Sequence, residues 1–145
     1  MNLANASRIA TAVLVVTVVS LLFRHSLFAD KPVALALQFL ALLLMLWARL
    51  TFGRRSFHIS ASPTEGGLVT TGPYRYWRHP IYAAILVFVW AGVASHMSPL
   101  NLLIALVASL ATGVRIGAEE RLVRDRYPEY AAYAARTKRL LPFVF

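Results

Sequence analysis

Four long apolar runs, at 9–23, 33–52, 81–95 and 100–114, crowd into a chain of 145 residues and constrain its fold more than any other feature. A single soluble core of this size cannot hide four such segments, whereas a bilayer needs about 20 apolar residues for each crossing. Three of the runs are only 15 residues long. Their ends must therefore borrow flanking residues, or the bilayer must thin around them. Charged residues make up 14% of the chain, against roughly 25% in an average soluble protein, which excludes both an ordinary globule and a disordered segment. The first run is not read as a secretory signal, because Arg24 and His25 follow Phe23 where a small-residue cleavage site would stand. The expectation is an all-α integral membrane protein with about four transmembrane helices. One domain, 1–145, would carry a loop at about 53–80 and a cytoplasmic helical tail at 115–145.

The basic residues orient those spans. Arg8, the loop set Arg49, Arg54, Arg55, Arg75 and Arg78, and the tail set Arg115, Arg121, Arg124, Arg126, Arg136, Lys138 and Arg139 fall on one side. Only Arg24 and Lys31 fall on the other. By the positive-inside rule both termini and the middle loop are cytoplasmic, and the cytoplasmic (inner) membrane is the expected location. Topology and anionic headgroups account for the net charge of +9, so nucleic acid is not an expected partner. The chain has no cysteine, which removes disulfides, thiolate metal sites and cysteine nucleophiles together. His25, His58, His79 and His96 show no metal-ligand spacing, so no metal is expected. Chemistry is left to His, Glu, Arg, Tyr and the backbone.

The loop at 70–82 reads Thr-Thr-Gly-Pro-Tyr-Arg-Tyr-Trp-Arg-His-Pro-Ile-Tyr. Pro80 suits the first turn of a helix, so the third span should begin near His79. A helix start flanked by Arg78 and His79 is an anion site at the membrane surface. The plainer reading pairs Arg75 and Arg78 with lipid phosphates, makes Tyr74, Tyr76 and Trp77 an interfacial belt, and leaves His79 as a cap. The connection 95–99 is short enough to force a tight antiparallel hairpin, with Ile81 level with Val114. That register sets the Arg78-His79-Pro80 corner beside Arg115, Glu119 and Glu120. Pairs four apart, Arg115 with Glu119, Glu120 with Arg124 and Arg121 with Asp125, would stabilise the helix by a few tenths of a kcal/mol each. They do not explain adjacent acids about one turn beyond the membrane. Glu119 and Glu120 differ by about 100° on a helix, so one can face the hairpin and the other water or a neighbouring loop.

Taken together, Gly72-Pro73-Tyr74-Arg75, Arg78-His79-Pro80-x-Tyr82, an apolar hairpin, Glu119-Glu120 and a tail of Glu129-Tyr130-x-x-Tyr133-x-x-Arg136-x-x-Arg139-x-x-Pro142 resemble the isoprenylcysteine carboxyl methyltransferases and the related small phospholipid methyltransferases of membranes. The resemblance covers roughly residues 66–142, with the motifs in family order; Ala84 stands where many members have glycine. It implies S-adenosylmethionine as the cofactor, with Tyr74, Arg78, His79, Pro80, Tyr82, Glu119, Glu120 and Tyr130 as its binding residues. The residue types suit that ligand: a helix start for its carboxylate, an acid for its ammonium and ribose hydroxyls, and an aromatic ring for its adenine. No glycine-rich strand-to-helix turn of the soluble dinucleotide-binding kind is present, and Gly66-Gly67 does not replace one.

The reaction so implied joins a carboxylate to a sulfonium methyl, giving a neutral ester and thioether, and a dry site at the membrane boundary favours it. The acceptor carboxylate needs an arginine; the family pattern puts Arg136 first and Arg139 second. An amine acceptor would instead lose a proton, and Glu120 would serve as the base. The acceptor would be a lipophilic or prenylated molecule, entering between helices past Ala83, Ala84 and the small residues Ala108, Ser109, Ala111, Thr112 and Gly113. The same small residues also suit plain helix packing. Two other classes stay open: a nicotinamide-dependent membrane reductase, and a non-catalytic assembly factor. The stretch 63–72 reads as a loop or a lid, the run 140–145 as an apolar segment returning to the interface, and Gln38 as a polar group bonded within the membrane.

Overall fold

The computed structural model describes residues 2–53 and 67–140. Arg54, Arg55, His58, residues 63–66 of the 63–72 stretch and all but Leu140 of the terminal apolar run lie outside the described residues. Among the described residues five α-helices follow in order: α1, Leu3–Phe23; α2, Pro32–Phe52; α3, Pro80–Ser95; α4, Pro99–Arg126; and α5, Tyr130–Arg136. A 3-10 turn, Gly72–Arg75, precedes α3. Local chemistry sets the starts. Asn2 accepts a hydrogen bond from the Ala4 amide, Ser98 accepts from the Asn101 amide, and Pro32, Pro80 and Pro99 open their helices.

Helices α1, α2 and α4 are long and apolar enough to cross a membrane. α3, with 16 residues, is a shorter apolar helix, about 24 Å against a hydrocarbon core of about 30 Å. α4 has 28 residues, about 42 Å, so its charged last turns must project beyond the core as the sequence requires. The protein is a multi-pass, all-helical membrane protein.

The helices associate as two pairs, α1 on α4 and α2 on α3. On α1 the buried positions are Ser7, Ala10, Leu14, Thr17 and Leu21, a strict alternation of three and four. Its partner seam on α4 runs through Asn101, Ala105, Ala108, Thr112 and Arg115 with the same alternation. Lipid offers these helices no hydrophobic drive to associate, so the small residues on the seam matter because they let the backbones approach. The small face of α4 is therefore filled by α1, with Ala10 and Leu14 packed against Ala108 and Ala111. For Ala108, Ala111 and Thr112 the packing alternative holds, while Ser109 bonds to Trp90 on α3 and Gly113 is exposed.

The α3–α4 hairpin forms, but its arms lean mainly on other partners. Trp90 bonds to Ser109, and Tyr82 faces Arg115 and Glu119, so the start of α3 lies beside the turns of α4 that carry those residues, as expected. Gly92 makes the other end close: a Cβ there would run into the Leu27 carbonyl of the α1–α2 connection. Gln38 ties the same region together, accepting from the Ala29 amide and donating to the carbonyls of Leu27 and Phe88.

Candidate active site

The charged end of the bundle is built by three segments that are remote in sequence: the loop before α3, the projecting turns of α4, and the tail from α5 onward. Backbone bonds join the first and third. Lys138 N–H donates to Tyr76 O at 3.0 Å, Arg78 N–H to Lys138 O at 2.7 Å, and His79 N–H to Arg139 O at 3.0 Å. Residues 76–79 thus run parallel to 138–139 through a bridge between Trp77 and Lys138. The Arg78 side chain strengthens the same junction, donating to the carbonyls of Ala134 (2.8 Å) and Thr137 (2.5 Å).

Glu120 is the hub. Its carboxylate accepts from Arg78 Nε at 2.9 Å and from Arg139, whose Nη2 lies 3.0 Å away. Its side chain is 7% exposed. Among the described residues its ion pairs run to Arg78 and Arg139, with His79 3.4 Å away, in place of the helical pair expected with Arg124. Burial pushes this carboxyl up, but His79 close beside it and the guanidiniums of Arg78 and Arg139 outweigh that and lower the pKa to about 2. An ion cluster this dry contributes little net stability, because the attraction between its charges must first offset their desolvation.

Glu119 faces the other way, into the hairpin. It accepts from the Tyr82 hydroxyl at 2.5 Å and pairs with Arg115 at 3.2 Å. The expected Arg115–Glu119 pair is present, but it is no surface ornament: Arg115 is buried, and its guanidinium also reaches the Tyr82 hydroxyl and Thr11 on α1. His79 stands between the two acids, 3.8 Å from Glu119 and 3.4 Å from Glu120, with its ring over Tyr82. Its Nε2 is buried, lies 3.4 Å from Glu120 Oε1 and makes no hydrogen bond. A buried ring nitrogen without a hydrogen bond, flanked by acids at a helix start, is a place for a polar ligand.

The aromatic residues divide. Tyr74 is buried against Phe52, with ring centroids 5.2 Å apart, and its carbonyl accepts from the Tyr133 hydroxyl at 2.7 Å. Burial raises the Tyr74 pKa, and Tyr133 is pushed up to about 12 by the same cause. Tyr130 is buried beside Tyr133, and burial with the nearby Glu120 charge keeps its hydroxyl protonated. Only Tyr76 is exposed as an interfacial belt requires. Gly72 fits here as glycine alone can: its φ is +57°, and a Cβ would meet Thr51 Oγ1 at 2.5 Å. Beside this turn a cavity of about 460 Å³ is lined by residues 51–53 and 68–71.

The structure therefore brings together Tyr74, Arg78, His79, Pro80, Tyr82, Glu119, Glu120, Tyr130 and Arg139. Arg136 is exposed at the end of α5, outside the Glu120 cluster. Sequence reasoning missed Thr137, whose carbonyl and hydroxyl face Arg78, and Thr11. Thr11 lies one residue from the buried heptad position Ala10, a signal that was available. Thr137 had none, since its contribution is mostly backbone.

With this geometry in place, comparison with known proteins gives three findings. The model of the phospholipid methyltransferase family matches residues 29–130. The cobalt-zinc-cadmium resistance protein CzcN of Cupriavidus metallidurans is 32% identical over 151 residues, covering 97% of this chain and 66% of its own length. The nickel-cobalt-cadmium resistance protein NccN of Alcaligenes xylosoxydans xylosoxydans is 32% identical over 130 residues, covering 88% of this chain and 60% of its own. The chain thus spans somewhat less than two thirds of the length of these relatives. No solved structure matches it.

Proposed function

The chain belongs to the phospholipid methyltransferase family, and from that premise we propose that it is an S-adenosylmethionine-dependent enzyme of the isoprenylcysteine carboxyl methyltransferase kind, methylating the carboxylate of a lipophilic acceptor. The observation that carries the reading is His79 Nε2, buried without a hydrogen bond between Glu119 and Glu120, where the loop, α4 and the tail converge. Those residues fit the cofactor. His79 and the start of α3 would take its carboxylate, Glu119 its ammonium, and the Tyr74–Phe52 pair beside the 460 Å³ cavity its adenine. When bound, S-adenosylmethionine supplies an activated methyl group on a sulfonium sulfur. The protein's own work is to orient and to exclude water. Arg78 and Arg139 fix Glu120 and hold the tail over the loop, and the buried tyrosines stay protonated, adding no negative charge that would repel an anionic acceptor. By the positive-inside rule the charged end faces the cytoplasm.

The family description favours one rival, N-methylation of a phospholipid amine. That reaction needs a base, and a Glu120 held near pKa 2 by its cationic neighbours is a poor one. The carboxylate acceptor, already ionised, needs none. The relatives' names describe resistance to metals, which specifies a process and no acceptor.

Calorimetric titration of the detergent-solubilised protein with S-adenosylmethionine, alongside a reduced nicotinamide dinucleotide, tests the cofactor. Binding of the first alone is expected. Binding of the second alone would make the chain a reductase, and binding of neither by folded protein would leave a non-catalytic assembly role. Transfer of a labelled methyl group to a lipophilic carboxylate gives a base-labile ester. Label in a base-stable lipid amine instead would overturn the O-methylation reading.

A further inference from the structure

Three hydroxyl side chains of α1 bond back to their own helix: Thr11 Oγ1 donates to the Ser7 carbonyl at 2.8 Å, Thr17 to that of Leu14 and Ser20 to that of Val16. This is how a threonine or serine within an apolar span satisfies itself. Thr17 and Ser20 stop there; Thr11 does not. With its one hydrogen spent on the Ser7 carbonyl, its oxygen can only accept, and it accepts from Arg115 Nη1 on α4. The other side of the same guanidinium meets α3 and the next turn of α4. Arg115 Nε bonds to the Tyr82 hydroxyl and lies 3.2 Å from Glu119 Oε1, with the guanidinium carbon 5.7 Å from the centre of the Tyr82 ring. Tyr82 in turn donates to Glu119 Oε1 at 2.5 Å. One chain of contacts thus runs from α1 to a carboxylate of the candidate site.

We propose that Thr11 is a positioning residue for the cofactor site: it sets the plane of the Arg115 guanidinium, which holds Glu119 Oε1 and leaves Oε2 turned to the cofactor's ammonium. The inference rests on the donor-binding reading above and adds to it a residue of α1, a helix outside the residues matched by the family model. The contacts of Glu119 divide as this requires. Among the described residues Tyr82 and Arg115 meet Oε1, and Oε2 meets His79 alone, at 3.8 Å. A guanidinium on a long stem can turn about a contact at Nε, whereas a second contact at Nη1 fixes the fork in its plane. Arg115 is only 7% exposed, so water is a poor substitute for the Thr11 oxygen. Ser7, one turn before Thr11, gives an internal reference: its hydroxyl is buried on the same seam and makes no hydrogen bond.

The test titrates the full chain in detergent with two probes, S-adenosylmethionine and methylthioadenosine, which keeps the nucleoside and the sulfur and lacks the ammonium. Thr11→Val should weaken S-adenosylmethionine binding about three- to tenfold, part of what a hydrogen bond to a charged group is worth, and leave methylthioadenosine binding as in the wild type. Thr11→Ser, which keeps the oxygen, should restore the affinity. Ser7→Ala, which removes a buried hydroxyl that bonds to nothing, should change binding of neither probe. In a Glu119→Gln background Thr11→Val should cost little further affinity, and the drop in melting temperature that it causes should be smaller than in the wild type, because the contact acts through that carboxylate. Equal weakening of both probes, no recovery with Thr11→Ser, or additive effects of Thr11→Val and Glu119→Gln would overturn the proposal. If the wild type binds no S-adenosylmethionine, the methyltransferase reading falls and the melting cycle still decides: coupling keeps Thr11 as the residue that sets Glu119, and additivity removes it.

Discussion

The two ends of the bundle are both closed by polar networks, and they are made of different things. At one end Gln38 bonds to backbone groups of Leu27, Ala29 and Phe88, Asn101 joins Ser26 and the His96 carbonyl, and a His96 ring nitrogen meets the Phe28 carbonyl. Arg24, on the Asn101 amide at 2.7 Å, is the one guanidinium there among these contacts. At the other end Arg78, Arg115 and Arg139 gather around Glu119 and Glu120, with His79 between the acids. Amides and hydroxyls suffice to close loops and satisfy helix ends where water is scarce. Closing the second end the same way would have been cheaper in desolvation, so its ionic construction points to work beyond folding.

Removing the hub should separate the ends most. Glu120→Gln keeps the shape but leaves two guanidiniums facing a neutral amide, and about 3 kcal/mol of stability should be lost, since Arg139 retains some solvent. On the proposed function, S-adenosylmethionine affinity should fall at least tenfold as well. Melting in detergent and calorimetry read the two effects, and an unchanged value in both would reduce the cluster to decoration.

Acid neutralises the same group without mutation. The Glu120 pKa lies near 2 in the folded protein against 4.5 for an unperturbed carboxyl, so its contribution is present above about pH 4.5 and lost as pH falls toward 2. Amide protection factors at Arg78 and His79, whose N–H groups bond to the tail, should drop across that window. Those at Ala29, bonded to Gln38, should not. Equal loss at both ends would mean that the whole bundle opens at once.

The reciprocal change is Gln38→Leu. It strands the Ala29 amide and withdraws a donor from two carbonyls, for a loss of about 2 kcal/mol. S-adenosylmethionine affinity per folded molecule should stay as in the wild type. A drop in affinity would show that the two ends are coupled through α2 and α3.

How much of this was legible in the sequence differs by the same division. The start of α3 at Pro80, the hairpin and the juxtaposition of the Arg78–His79 corner with Glu119 and Glu120 follow from helix-start chemistry and loop length alone. Connection length fixes only where a hairpin bends, whereas bonds such as Trp90 to Ser109 fix how its arms slide. The pairing of 76–79 with 138–139 left no trace in the sequence, being made of backbone groups that every residue carries. The α1 seam, by contrast, was written at 7, 10, 14, 17 and 21, but polar and small residues there are hidden by the general apolarity of the span.

The smallest expected effect concerns Arg136, the arginine that the motif pattern put first for the acceptor. It is exposed at the end of α5, outside the Glu120 cluster, so Arg136→Gln should change stability by less than about 0.5 kcal/mol, as exposed substitutions do. If Arg136 only attracts anionic lipid, the change should lower methyl transfer on anionic vesicles through an effect that salt removes. A rise in the acceptor KM that salt does not remove would instead put the acceptor carboxylate at the tail, because a partner bound in a low-dielectric site is screened little.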